Sequence, residues 1–153
     1  MRFDVVLAAT LLAAHAAHAA QAQGREIRCD YAQRIECAAS SCTAAAIEGR
    51  YLLLPNADAL VRATAAAKDA GSLPAIKVCE ARGCTPIPVR AVSAGAFLNI
   101  AQDGGAHFVK VAMRDIPSSR RGQPGIRRGA FVEVAAQFLS TVTHVGSCPA
   151  LVP

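Results

Sequence analysis

The stretch AIKVCEARGCTPIPVRAV, residues 75–92, decides the fold class. Ala75 to Cys79 and Pro86 to Val92 are short runs carrying Ile and Val. Between them Glu80-Ala81-Arg82-Gly83 is a four-residue, glycine-containing loop, the pattern of an antiparallel hairpin. Cys79 and Cys84 bracket that loop, so they can face each other near the roughly 5.5–6 Å Cα separation a disulfide favours.

Working outward, the same pattern repeats toward the C-terminus. Ser93-Ala94-Gly95 is a turn, Ala96 to Gln102 a strand, and Asp103-Gly104-Gly105 a strong hairpin signal. Ala106 to Arg114, Ala130 to Ala136 and Phe138 to Val145 follow as strands. Short strands at such even spacing predict an antiparallel meander, barrel-like or a sandwich. In Phe108-Val109-Lys110-Val111 and Phe131-Val132-Glu133-Val134 the alternation puts the valines on one face. Lys110 and Glu133 are then expected on the other, as an outward cross-strand pair.

Toward the N-terminus, Arg25 to Tyr31 and Glu48 to Leu54 read as strands, with Cys37 and Cys42 in a small-residue loop between them. Asn56 to Ala70 reads as the one helix, with Asn56 as N-cap, Asp58 in the first turn and Gly71 at its end. The expected fold is therefore mainly β, a small antiparallel meander with one short helix, in a single domain over 23–153.

Residues 1–22 are expected to be a cleaved signal peptide. Val5 to Ala14 is apolar apart from Thr10 and too short to span a bilayer. Ala17-His18-Ala19 and Ala20-Gln21-Ala22 both fit the small-residue cleavage rule. The six cysteines, Cys29, Cys37, Cys42, Cys79, Cys84 and Cys148, all lie downstream, an even set that reads as a disulfide framework in an oxidising compartment. Cys148 is expected to tie the C-terminus back to Cys29 or Cys37, leaving Cys42 in the remaining pair. Zinc on Cys37, Cys42, Cys79 and Cys84 is the rival reading, disfavoured by that compartment and by the two thiols left over. No Cys-x-x-Cys redox pair occurs.

Signs of catalysis are sparse. There is no Gly-x-Ser-x-Gly, no His-Glu-x-x-His and no phosphate-loop motif. His107 and His144 sit at strand positions, and Asp103, Asp115 and Glu133 read as isolated carboxylates. Clustering of His107 and His144 with a carboxylate in a deep pocket would favour an enzyme, and the two lying far apart on opposite faces would disfavour it. No cofactor is expected. The absence of tryptophan and the few aromatics weaken any base-stacking surface, so no specific nucleic-acid partner is expected. The chain carries a net charge of +5, and its one unusual concentration of charge is Arg114 to Arg128. There Arg120, Arg121, Arg127 and Arg128 form a candidate anion-binding loop, read either as a site for an anionic envelope component or as a solvated, flexible hairpin tip.

The plan Cys29…Cys37-x4-Cys42, Cys79-x4-Cys84, Gly95-Ala96-Phe97, Phe131-Val132-Glu133-Val134 and Gly146-Ser147-Cys148 resembles a group of small exported proteobacterial proteins. Ser93-Ala94-Gly95-Ala96-Phe97 is also similar to the Ser-Gly-x-x-Tyr-like loop of periplasmic lysozyme-inhibitor barrels, with an inserted alanine and Phe97 in place of tyrosine. That likeness implies a partner-binding turn at Ser93, Gly95 and Phe97. The leading expectation is a non-catalytic periplasmic or secreted binding or envelope-associated protein. Inhibition of an exported hydrolase is the alternative, and an enzyme the second alternative.

Overall fold

The computed structural model describes residues 26–38, 40–102, 107–136 and 140–151. The expected signal peptide at 1–22 and the Asp103-Gly104-Gly105 turn lie outside them. The strands are β1 (Ile27–Ala38), β2 (Ser41–Ala46), β3 (Tyr51–Leu54), β4 (Ala75–Glu80), β5 (Gly83–Ala94), β6 (Phe97–Gln102), β7 (His107–Ala112), β8 (Ala130–Ala136) and β9 (Ser140–Ser147). One helix, α1 (Ala57–Ala66), separates β3 from β4.

Each strand pairs antiparallel with its neighbour, and β9 returns to β1 from Asp30↔Ser147 to Ala38↔Ser140. β2 and β3 take successive stretches of the same side of β1, Gln33–Ala38 and Ile27–Asp30. The result is a closed eight-stranded barrel, of the two architectures the meander allowed. Closure satisfies the ladder hydrogen bonds that an open sheet leaves at its edges.

One end of the barrel is filled and the other is polar. At the filled end Leu52, Leu54, Ile76, Leu98, Ile100, Val109 and Val111 meet in the interior, with Leu60 of α1 and Leu151 packed against them. Burying each such side chain contributes about 1.5–3 kcal/mol. Ala91 on β5 donates its N–H to Thr64 Oγ1 at 3.0 Å, so the helix stands in where β4 no longer pairs. At the other end lie the β4–β5 turn and the ends of β1 and β8, at Ala38 and Ala136. β5 pairs with β4 over residues 83–88 but with β6 only over 89–94. Val89 N–H points back to Pro74 O at 2.9 Å, and backbone donors two residues apart point the same way, so Pro86 and Pro88 turn toward the side β6 has left. A proline there leaves no donor unpaired.

Several expectations need correction. The Cys37 to Cys42 region is not a loop but the tip of the β1–β2 hairpin, with Cys37 and Cys42 directly paired. The four-residue loop at 80–83 tightens to two residues, because Glu80 pairs with Gly83. α1 ends at Ala66 rather than Ala70. Ser72 Oγ accepts from Lys68 N and Asp69 N, and the Asp69 carboxylate accepts from Ser72 N, giving a separate 3-10 turn in which Gly71 lies. Such local side-chain bonds compete with the helix ladder. Glu133 is not outward: Phe131 and Glu133 are buried, Lys110 pairs with Val132, and the valines of β8 take the outer face. The segment 114–128 is not an unpacked tip, since Ile116 and Ile126 form an antiparallel bridge with both hydrogen bonds closed.

Candidate ligand cavity in the barrel mouth

Glu133 on β8 faces His144 directly across the β8–β9 ladder, and His107 lies diagonally from it on β7, where His107 itself pairs with Ala135. All three side chains are turned inward by the two-residue period of their strands. His107 Nε2 hydrogen-bonds Glu133 Oε1, and His144 Nδ1 stands 3.3 Å from Oε2, a close polar contact without a well-aligned hydrogen bond. Glu133 is 2% exposed and His144 5%. Burial alone pushes the Glu133 carboxyl up. The donors facing it from His107, His144 and Tyr31 outweigh that and hold it well below the usual carboxylate range. Glu133 is therefore anionic at neutral pH.

That charge fixes the protons around it. His107 must donate from Nε2. Arg50 Nη1 lies 3.3 Å from His144 Nε2, and because a guanidinium only donates, Nε2 is the acceptor and Nδ1 carries the proton toward Glu133. Tyr31 sits beneath this group. Its ring meets Phe131 edge-on at 5.2 Å and His144 at 5.4 Å, and Arg50 lies over it at 4.9 Å. Burial, and then the Glu133 charge, push the Tyr31 hydroxyl above its ordinary range. Gly146 opposite Tyr31 allows this packing, since a Cβ there would fall 2.2 Å from Asp30 O and 2.5 Å from the Phe131 ring.

Above the buried group opens a cavity of about 720 Å³, lined among others by Arg34, Arg50, Glu80, Arg82, Thr85 and His107. Arg50 also approaches Glu80 at 3.6 Å, and its Nε is buried without a hydrogen-bond partner. Arg34 is bound to Glu36 at 2.7 Å. Arg34, though exposed, turns to the cavity side because the register of β1 slips between Tyr31 and Gln33, so that it stands opposite inward-facing His144. A volume of this size fits a small molecule.

The sequence-derived sites fall elsewhere. Cys29–Cys148, Cys37–Cys42 and Cys79–Cys84 are disulfides, which settles the Cys148 alternatives in favour of Cys29. No free cysteine remains to supply the thiolates the zinc reading needed. The three bonds are compatible with an oxidising, exported location. Ser93 and Gly95 are exposed at the two-residue β5–β6 turn, at the filled end. Phe97 is half-buried under the Lys110 ammonium, 4.1 Å from its ring. Arg120, Arg121, Arg127 and Arg128 are exposed on the β7–β8 loop, also at the filled end. The reading of Glu133 as an isolated carboxylate is overturned, because it joins both histidines. Among the described residues no three His, Cys, Asp or Glu side chains are arranged to hold a metal ion, and no helix is long and apolar enough to cross a membrane.

Comparison of the chain with protein-family models, curated proteins and solved structures found no match.

Proposed function

We propose that the barrel mouth binds a small anionic molecule bearing a carboxylate or phosphate, and that the protein serves as a non-catalytic binding protein of the periplasm or cell exterior. The observation that carries this reading is Arg50. Its guanidinium lines the cavity and is held over Tyr31 by His144, which accepts from Nη1, and by Glu80, whose Oε1 stands 3.6 Å from the buried Nε. A planar guanidinium fixed in this way suits bidentate recognition of a carboxylate or phosphate. Arg34 and Arg82 line the same space, and of the Glu133 carboxylate below, Oε1 is taken by His107 while Oε2 faces His144 at 3.3 Å. The three disulfides and the expected signal peptide support export.

A thermal-shift screen of small carboxylates and phosphates against neutral sugars of similar size tests it. The anions should raise the melting temperature in a saturable way, by mass action on the folded state, and Arg50→Gln should abolish the shift. Equal shifts with neutral sugars, or an undiminished shift in Arg50→Gln, would sink the proposal.

The His107–Glu133 contact favours a second reading, proton abstraction from the bound ligand by His107. A buried carboxylate orienting an imidazole is the arrangement general bases use. This reading requires that His107→Gln leave ligand affinity intact while abolishing exchange of an acidic ligand C–H with deuterated solvent. Absence of any exchange in the wild-type protein would eliminate it.

A further inference from the structure

We infer that the β7–β8 loop, at the end of the barrel opposite the mouth, forms a second binding site. Its ligand would be a single-chain anionic amphiphile, with the alkyl chain in an apolar cleft and the head group on Arg127 and Arg128.

The loop is a built platform. Ile116 and Ile126 exchange backbone hydrogen bonds of 2.8 and 2.9 Å, and Arg128 N–H donates to Asp115 Oδ1 at 2.8 Å. The two arms approach so closely at Gly125 that a Cβ would fall 2.4 Å from Ile116 O and 3.2 Å from Ser118 N, backbone atoms that cannot step aside. Between the loop and the barrel end lies a cleft of about 770 Å³. Ile116, Pro117, Pro124 and Ile126 give it an apolar lining, and Arg127 and Arg128 stand at its side. Ile126 is 47% exposed, an unusual position for a large aliphatic side chain held in a hydrogen-bonded bridge.

Charge selects the occupant. Arg114, Arg120, Arg121, Arg127 and Arg128 share their segment with one carboxylate, Asp115, and one oxygen of that carboxylate is committed to the Arg128 backbone. Among the described residues none of these five guanidinium groups has an ion pair. A neutral lipid would leave the arginines uncompensated, and a hydrophilic polyanion would leave the apolar cleft wet. An amphiphile with a carboxylate, sulfate or phosphate head uses both surfaces. Each methylene it buries should tighten binding about fourfold.

The test is calorimetric titration of the full chain with acetate, octanoate, decanoate and laurate, each below its micellar concentration, and with dodecyl maltoside as the uncharged control. The expected result is affinity that rises with chain length, is weak for the maltoside, and falls at least tenfold in Arg127→Gln/Arg128→Gln. A laurate titration of the unaltered protein followed by amide NMR shifts covers the case in which that variant misfolds. Shifts should centre on Ile116, Ile126 and Arg127. Acetate binding as tightly as laurate, shifts centred on His107 and His144, or an unchanged affinity in a folded double variant would each overturn the inference. Binding to phosphatidylglycerol vesicles without binding to monomeric laurate would also overturn it, in favour of a membrane-docking face.

Discussion

His144 stands directly opposite Glu133 in the β8–β9 ladder, and Arg50 closes the far side of its ring, so one imidazole links a buried carboxylate to the guanidinium at the cavity wall. The chain of contacts from Glu133 through His144 to Arg50 is what distinguishes the barrel mouth from the apolar end. Through it the buried charge orients the guanidinium at the cavity wall.

Glu133→Gln should destabilise the protein by about 3 kcal/mol at neutral pH, because the buried donors lose a charged acceptor. The carboxyl is held below its ordinary value near 4.5, so its contribution is fully present above that value and is lost as pH falls toward the folded-state value. Urea unfolding at pH 7, 5 and 3 should therefore show the gap between wild type and variant narrowing at the acid end. A gap independent of pH would mean that Glu133 does not carry its charge in the folded protein.

The disulfides should contribute unequally. Cys29–Cys148 closes 119 residues and each of the other two closes 5. The loop-entropy relation gives about 5 kcal/mol for the first and about 2 kcal/mol for each hairpin staple. Paired Cys→Ala variants compared by chemical denaturation check the ranking, and a hairpin staple that costs more than the terminal clamp would contradict it.

Two polar groups seat α1. Asn56 Oδ1 accepts from Asp58 N and Ala59 N, so Asn56→Ala should cost about 1 kcal/mol. Thr64→Val keeps the shape but strands the Ala91 donor, and about 1–3 kcal/mol should follow. Amide exchange at Ala91 should accelerate in Thr64→Val but not in Asn56→Ala.

The Ser93 to Phe97 turn carries no long side chain that projects freely, since its two turn residues are Gly95 and Ala96 and Phe97 is covered by Lys110. Lysozyme clearing of a cell-wall suspension should therefore proceed at its normal rate in the presence of micromolar protein. Protection would restore hydrolase inhibition as the function.

The antiparallel meander was legible because Val, Ile and Gly punctuate the chain at regular intervals and the Cys79–Cys84 pair marks a hairpin tip, whereas Cys37 and Cys42, among small residues, gave no such signal. The cavity was not. In Phe131-Val132-Glu133-Val134 the more apolar alternate set is the valines, yet they face out, because the polar group between β7, β8 and β9 offsets the burial of Glu133. Arg34 was hidden differently. The slip at Ala32 changes the inward parity of β1, so no two-residue period connects Tyr31 to Arg34. Arg50 lies in the break between β2 and β3, and a sequence read strand by strand assigns such a position no direction.

The most direct test of the anion-binding account is a citrate and inorganic phosphate titration followed by amide and arginine side-chain NMR shifts. The account requires saturable shifts confined to Arg34, Arg50, Arg82, Thr85, His107 and His144, and their loss in a folded Arg50→Gln protein. Shifts spread evenly over the exposed arginines, with the barrel mouth unaffected, would contradict it.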